Sequence, residues 1–168
     1  LTPEQLAQLV EKNRSALKLV RAGLSREYHY PPDLTIDNAL PLYEKWRQLA
    51  RLLVAAGDAR AAQNDWVGAT DNYIDAIKLG GEITRGGPLM NLFVGRAMQA
   101  IGRRSLEESL SRMDAAAAKG AALQLETIIS RQPTFLDTLR TEARFSENEF
   151  RKMLLGTVAP HFDDPQFR

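Results

Sequence analysis

The chain has 168 residues, with 22 Lys and Arg against 21 Asp and Glu, no cysteine and a net charge of +1. That length suits one domain with its own hydrophobic core. The missing cysteine excludes thiol catalysis, Fe–S ligation and Cys-type zinc sites, and the neutral balance argues against a dedicated nucleic-acid binder.

Ala and Leu supply 22 and 23 residues, Val and Ile together only 13. Good helix formers therefore dominate and the expected class is all-α. Thr2-Pro3-Glu4-Gln5 reads as an N-cap, a Pro in the first turn and a Gln able to close a capping box. Leu6, Leu9, Val10, Leu17, Val20 and Leu24 follow at helical spacing, which predicts one helix ending near Ala22. Residues 23–37 contain Tyr28-His29-Tyr30-Pro31-Pro32, an extended segment expected to strap apolar surface with its hydroxyls in water. Asp37 or Asn38 is the expected cap of a second helix carrying Leu42, Trp46, Leu49 and Leu53, running through Gly57 to about Gln63.

A break at Asn64-Asp65 starts a third helix at Trp66, and its sequence from Asp65 to Leu79 resembles the second helix of a tetratricopeptide repeat. The motif asks for a small residue, an aromatic and another small residue, filled by Ala69, Tyr73 and Ala76. Gly57 falls where the repeat keeps a glycine in its first helix. The resemblance covers about residues 50–83, one unit, and implies an antiparallel hairpin in which Gly57 and Ala69 let the backbones approach while Tyr73 fills the groove. Ala56, Arg60 and Gly81 depart from the pattern, and residues 84–117 hold no second copy.

Gly80-Gly81 either ends this helix or sits inside it where another backbone crosses. Gly86-Gly87-Pro88 is a strong break, followed by a face of Leu89, Leu92, Phe93, Ala97, Ala100 and Ile101. A restart is expected near Ser105, an Ala-rich helix after Asp114, and a short helix capped by Thr134 and bearing Leu136, Leu139 and Ala143. Ser146-Glu147-Asn148-Glu149 reads as a further capping box launching Phe150, Met153 and Leu154. These assignments give a single all-helical domain of six to eight helices over residues 1–155 and an irregular tail over 156–168. Most of residues 45–155 also resembles uncharacterised all-helical bacterial domains, often held outside the cytoplasmic membrane behind an N-terminal anchor. The resemblance implies no activity. The chain opens at Leu1 without Met, so an anchor or signal is expected to lie upstream if there is one; no span is expected within it.

Only His29 and His161 are present, neither in a hydrolase elbow nor in a metal-binding helix motif. His161-Phe162-Asp163-Asp164 groups three possible metal ligands in a short acidic tail that is expected to be solvated, so no metal or cofactor is expected. Gly80 to Gly87 lacks the Gly-Lys-Ser/Thr ending of a phosphate loop. Glu142 is a helix-borne carboxylate expected to pair with Arg96, Arg140 or Arg144, and a hydrolase using it is the remotest reading. Arg103, Arg104 and Arg112 are expected to pair with Glu107 and Glu108. The expected function is a non-catalytic helical protein-interaction or scaffolding module. Its candidate partner-binding residues are Arg47 and Arg51, one turn apart, which otherwise pair with Glu44. The alternative is a ligand-binding bundle with its pocket near Trp46, Trp66, Tyr73 and Phe93.

Overall fold

Thr2 opens the first helix as its sequence dictates: its hydroxyl accepts from the Gln5 N–H, and the Gln5 side chain accepts from the Thr2 N–H at 2.8 Å. The computed structural model describes residues 1–31 and 36–162. Among these are seven α-helices and no strand: α1 (Pro3–Lys12), α2 (Arg14–Leu24), α3 (Ile36–Ala61), α4 (Trp66–Glu82), α5 (Leu89–Ser109), α6 (Ala115–Ser130) and α7 (Phe135–Phe162). The protein is an all-α helical bundle.

The central helix is α4. Its apolar residues are not confined to one stripe, so it is buried on several sides, from Ala69 to Gly81. One side shares a core with Leu17, Leu53, Ala56, Ile83 and Met98. Another meets Leu106, Ala121 and Ile128, which bring in α5 and α6. α1 and α2 cover α3 and α4, and α7 reaches the bundle through α5.

The turn into α4 is built by Asn64, in the left-handed region at φ 61°, and by Asp65, whose carboxylate accepts the Gly68 N–H at 2.9 Å. The turn out of α4 needs Gly86, whose φ of +67° a side chain would strain. Across the first of these turns α3 and α4 run antiparallel. Gly57 lies under the Tyr73 ring, and the Tyr73 hydroxyl donates to Asp58 at 2.8 Å. Gly57 therefore makes room for an aromatic ring. Gly80 and Gly81 sit inside α4, where Gly80 meets the Gly95 carbonyl of α5 and Gly102 meets the Tyr73 carbonyl. Side chains at these points would hold the two antiparallel backbones apart, so glycine sets the depth of the α4–α5 contact.

Several expected boundaries move. The first helix is two: the backbone leaves helical geometry at Asn13, at φ −108° and ψ 16°, where the Asn13 side chain donates to the Leu9 carbonyl at 2.8 Å beside its own N–H. α3 is helical from Ile36, ahead of the expected caps Asp37 and Asn38, whose side chains lie outside the described ones. α5 runs through Ser105 to Ser109 without a restart. α7 runs through Ser146, so the apparent capping box is the surface of a continuous helix, supported there by Glu147–Arg151 and Glu149–Lys152 pairs. The helix also passes Gly156, where the irregular tail was expected. A lone glycine costs a helix only about 1 kcal/mol, which an established helix tolerates. Residues 163–168 and the side chain of His161 lie outside the described ones, and with them all three possible ligands of the acidic tail.

Candidate functional site

α7 binds the bundle with its more polar face. Thr138 is buried, and Thr141, Glu142, Phe145 and Glu149 follow at helical spacing, half-buried against the bundle. Glu142 carries the docking: its Oε2 accepts the Leu89 N–H at 2.7 Å. Leu89 is the first residue of α5, where Pro88 offers no side-chain cap. A carboxylate from another helix thus satisfies an orphan N–H at the positive end of α5. The expected arginine partners are replaced by this backbone contact.

Beside Glu142 lies a cavity of about 220 Å³ lined by Tyr30, Tyr43, Leu89, Phe93 and Phe145. The Tyr43 hydroxyl turns away from it, donating to Asn91 Oδ1 at 2.8 Å, while Asn91 Nδ2 donates to the Ile83 carbonyl at 2.9 Å. Burial and the neighbouring Glu142 raise the Tyr43 phenol, and burial with Tyr43, Glu149 and Glu142 pushes Tyr30 up to about 12. Both stay protonated at neutral pH, and Glu142 is the carboxylate among the lining residues.

The opposite face of α7 is apolar and open. Phe135, Leu136, Leu139, Phe150, Met153, Leu154 and Leu155 are each between 40% and 64% exposed. Scattered exposed leucines are ordinary, but seven large apolar side chains on one helix form a patch of the kind that marks interaction surfaces. Their periodicity was legible in the sequence; that α7 turns them outward was not.

The residues singled out by sequence do not converge. Arg47 pairs with Glu44 at 2.5 Å and Arg51 approaches the same carboxylate at 3.7 Å, so one acid engages both. Trp46 meets the Tyr28 ring edge-on and the Tyr43 ring at a tilt, with ring centroids 6.5 and 5.6 Å away. Trp66 is covered by the Arg112 guanidinium at 5.9 Å, an interaction in place of the expected pairing of Arg112 with Glu107 or Glu108. Those two acids instead pair with Arg103 and Arg104. Tyr73 is core, and Phe93 alone of the four aromatics lines the cavity beside Glu142. The four therefore do not form one pocket. The strap also differs from expectation: the Tyr28 hydroxyl is buried without a hydrogen-bond partner, and burial pushes its phenol up to about 12. His29 is exposed, and no cluster of three His, Asp or Glu suited to a metal occurs among the described residues. No helix among them is long and apolar enough to cross a membrane. No protein-family model, curated protein or solved structure matches the chain.

Proposed function

We propose that the chain is a non-catalytic helical protein-interaction module whose docking surface is the outer face of α7. The observation that supports it is the inversion of that helix: Thr138, Glu142 and Glu149 face the bundle while Leu136, Leu139, Phe150 and Leu154 face out. A helix fixed only to its own bundle would bury the apolar side, since each large apolar side chain moved out of water stabilises by about 1.5–3 kcal/mol. Photo-crosslinking in a native extract tests this. The variants Leu139→benzoylphenylalanine and Phe150→benzoylphenylalanine should link to protein, and Lys119→benzoylphenylalanine on the exposed surface of α6 should not. Equal labelling at all three positions, or none, removes α7 as the docking surface.

The cavity beside Glu142 supports a second reading, uptake of a small apolar molecule bearing an amine. Its walls are aromatic and aliphatic, and a lone carboxylate offers an anchor. Hexylamine should then bind the wild type by calorimetry, and Ala39→Leu, which fills the cavity wall, should abolish the heat.

A further inference from the structure

Deepening the interaction-module reading, and resting on it, we propose that the partner of α7 is the α7 of a second copy of this chain, packed antiparallel. Along the outer face, Leu136, Leu139, Ala143, Ser146, Phe150 and Met153 alternate three and four residues apart, the spacing of a coiled-coil seam, and all six are exposed. Read from either end the series is the same: large, large, small, small, large, large. Two-fold symmetry demands this property, because in an isologous contact one patch must complement itself. Turned antiparallel about the midpoint between Ala143 and Ser146, Leu136 meets the partner's Met153 and Leu139 meets the partner's Phe150. The small pair falls at the centre, where the two backbones come closest.

The charges on the solvent-side flank fit the same register, while on the other flank Glu142 and Glu149 turn to the bundle, where Glu142 is held by the Leu89 N–H. Arg140 and Glu147 border the stripe on one side, and the antiparallel pairing sets Arg140 beside the partner's Glu147 twice, once for each copy. Within the chain these residues form exposed pairs with Asp137 at 3.4 Å and Arg151 at 3.3 Å. Exchanging such exposed pairs costs little. The charge balance also distinguishes this helix from a membrane-binding one, which carries a cationic excess; here Asp137, Glu142, Glu147 and Glu149 balance Arg140, Arg144, Arg151 and Lys152.

The absence of native cysteine makes the geometry directly testable. Leu136 and Met153 lie about 25 Å apart along one helix, too far for a bond within a chain. The purified double variant Leu136→Cys/Met153→Cys should oxidise to a covalent dimer, and neither single variant should. In sedimentation over about 1–200 µM, a range chosen because one helix pair is smaller than the standard ~800 Å² per partner, the wild type should dimerise. Leu139→Glu should weaken the dimer about tenfold or more. Arg140→Glu and Glu147→Arg should each weaken it a few-fold, and their combination should restore it. Circular dichroism on every variant confirms folding. A wild type that stays monomeric, or single-cysteine variants that crosslink as well as the double variant, overturns the antiparallel pair. A monomer whose position 139 still crosslinks to another protein overturns the self-pairing and leaves the interaction module standing. A monomer that binds phosphatidylcholine–phosphatidylglycerol vesicles through Leu139, with no protein crosslink, overturns both.

Discussion

Where α4 crosses α5, Gly80 lies against Gly95 and Gly102 lies against the Tyr73 backbone, with Ile77, Leu106 and Met98 sealing the contact. On α7 the small pair Ala143 and Ser146 also lies between bulky residues, Leu139 and Phe150, but both flanks face solvent. Both regions therefore set small residues where a close helix approach needs them. In the first the approaching helix is part of the same chain. The comparison separates two quantities that usually move together: the seam carries fold stability, and the α7 face can change with little effect on it.

The sharpest way to break the comparison is to open the seam. A Cβ at Gly95 collides with the Gly80 carbonyl and the Thr84 methyl, and the backbone cannot rotate away as a side chain can. Gly95→Leu should cost about 3 kcal/mol, read as a lower urea midpoint at unchanged slope. An unchanged midpoint would mean that the two helices part without loss. A smaller effect is expected at Gly57, where the obstacle is the Tyr73 ring. That ring is buried and anchored through its hydroxyl to Asp58, so Gly57→Leu should cost about 2 kcal/mol despite the better helix propensity of leucine. A raised melting temperature would show that the ring swings aside and that α3 and α4 are not closely packed there.

Alkali probes both regions at once. Tyr73 is raised by burial and by Asp58, while Tyr28 and Tyr30, the latter beside α7, are each pushed up to about 12. In the unfolded chain phenols ionise near pH 10. The native state holds its protons longer, so the stability these phenols contribute is intact below pH 10 and is lost as pH rises toward 12 and beyond. Unfolding free energy should thus fall through that window, and Tyr73→Phe should flatten the fall more than Tyr30→Phe. Equal flattening by both would place the two phenols in equivalent surroundings.

The sequence made the helices legible wherever a cap or a break was local. Thr2, Asp65, Asp114 and Thr134 each accept from the backbone N–H three residues on, at the helix starts that the sequence marks by a cap or a break. It misled where local chemistry and tertiary context diverge. Ser146-Glu147-Asn148-Glu149 satisfies the rules for a helix start, yet it is also an ordinary solvent face, and only the continuity of α7 decides between them. The cavity was not legible at all, because it joins Tyr30, Tyr43, Phe93 and Phe145 from four separate elements. Glu142 was legible as a helix-borne carboxylate in need of a partner, but that partner is a backbone N–H 53 residues away and not an arginine. No pairwise side-chain rule reaches such a contact. The outward turn of Leu136 and Leu139 has the same origin: periodicity shows that a helix has an apolar face, and contacts decide what that face meets.

The smallest effect reverses the sign of the others. Gly120 sits in the middle of α6, and a Cβ built there finds no atom within 4 Å. It is neither in a left-handed turn nor at a crossing, so it contributes only the entropy cost that glycine carries in a helix. Gly120→Ala should raise stability by about 0.5–1 kcal/mol, through fewer unfolded conformations and better helix propensity. Placed beside Gly95→Leu and Gly57→Leu, this variant controls for glycine itself: the helical context is shared and only the neighbours differ. Thermal melts of the three proteins should order Gly120→Ala above wild type, then Gly57→Leu, then Gly95→Leu. If Gly120→Ala falls below wild type, some contact occupies that open side of α6. In a homodimer the loss would deepen with protein concentration, whereas a concentration-independent loss would place the obstruction within the single chain.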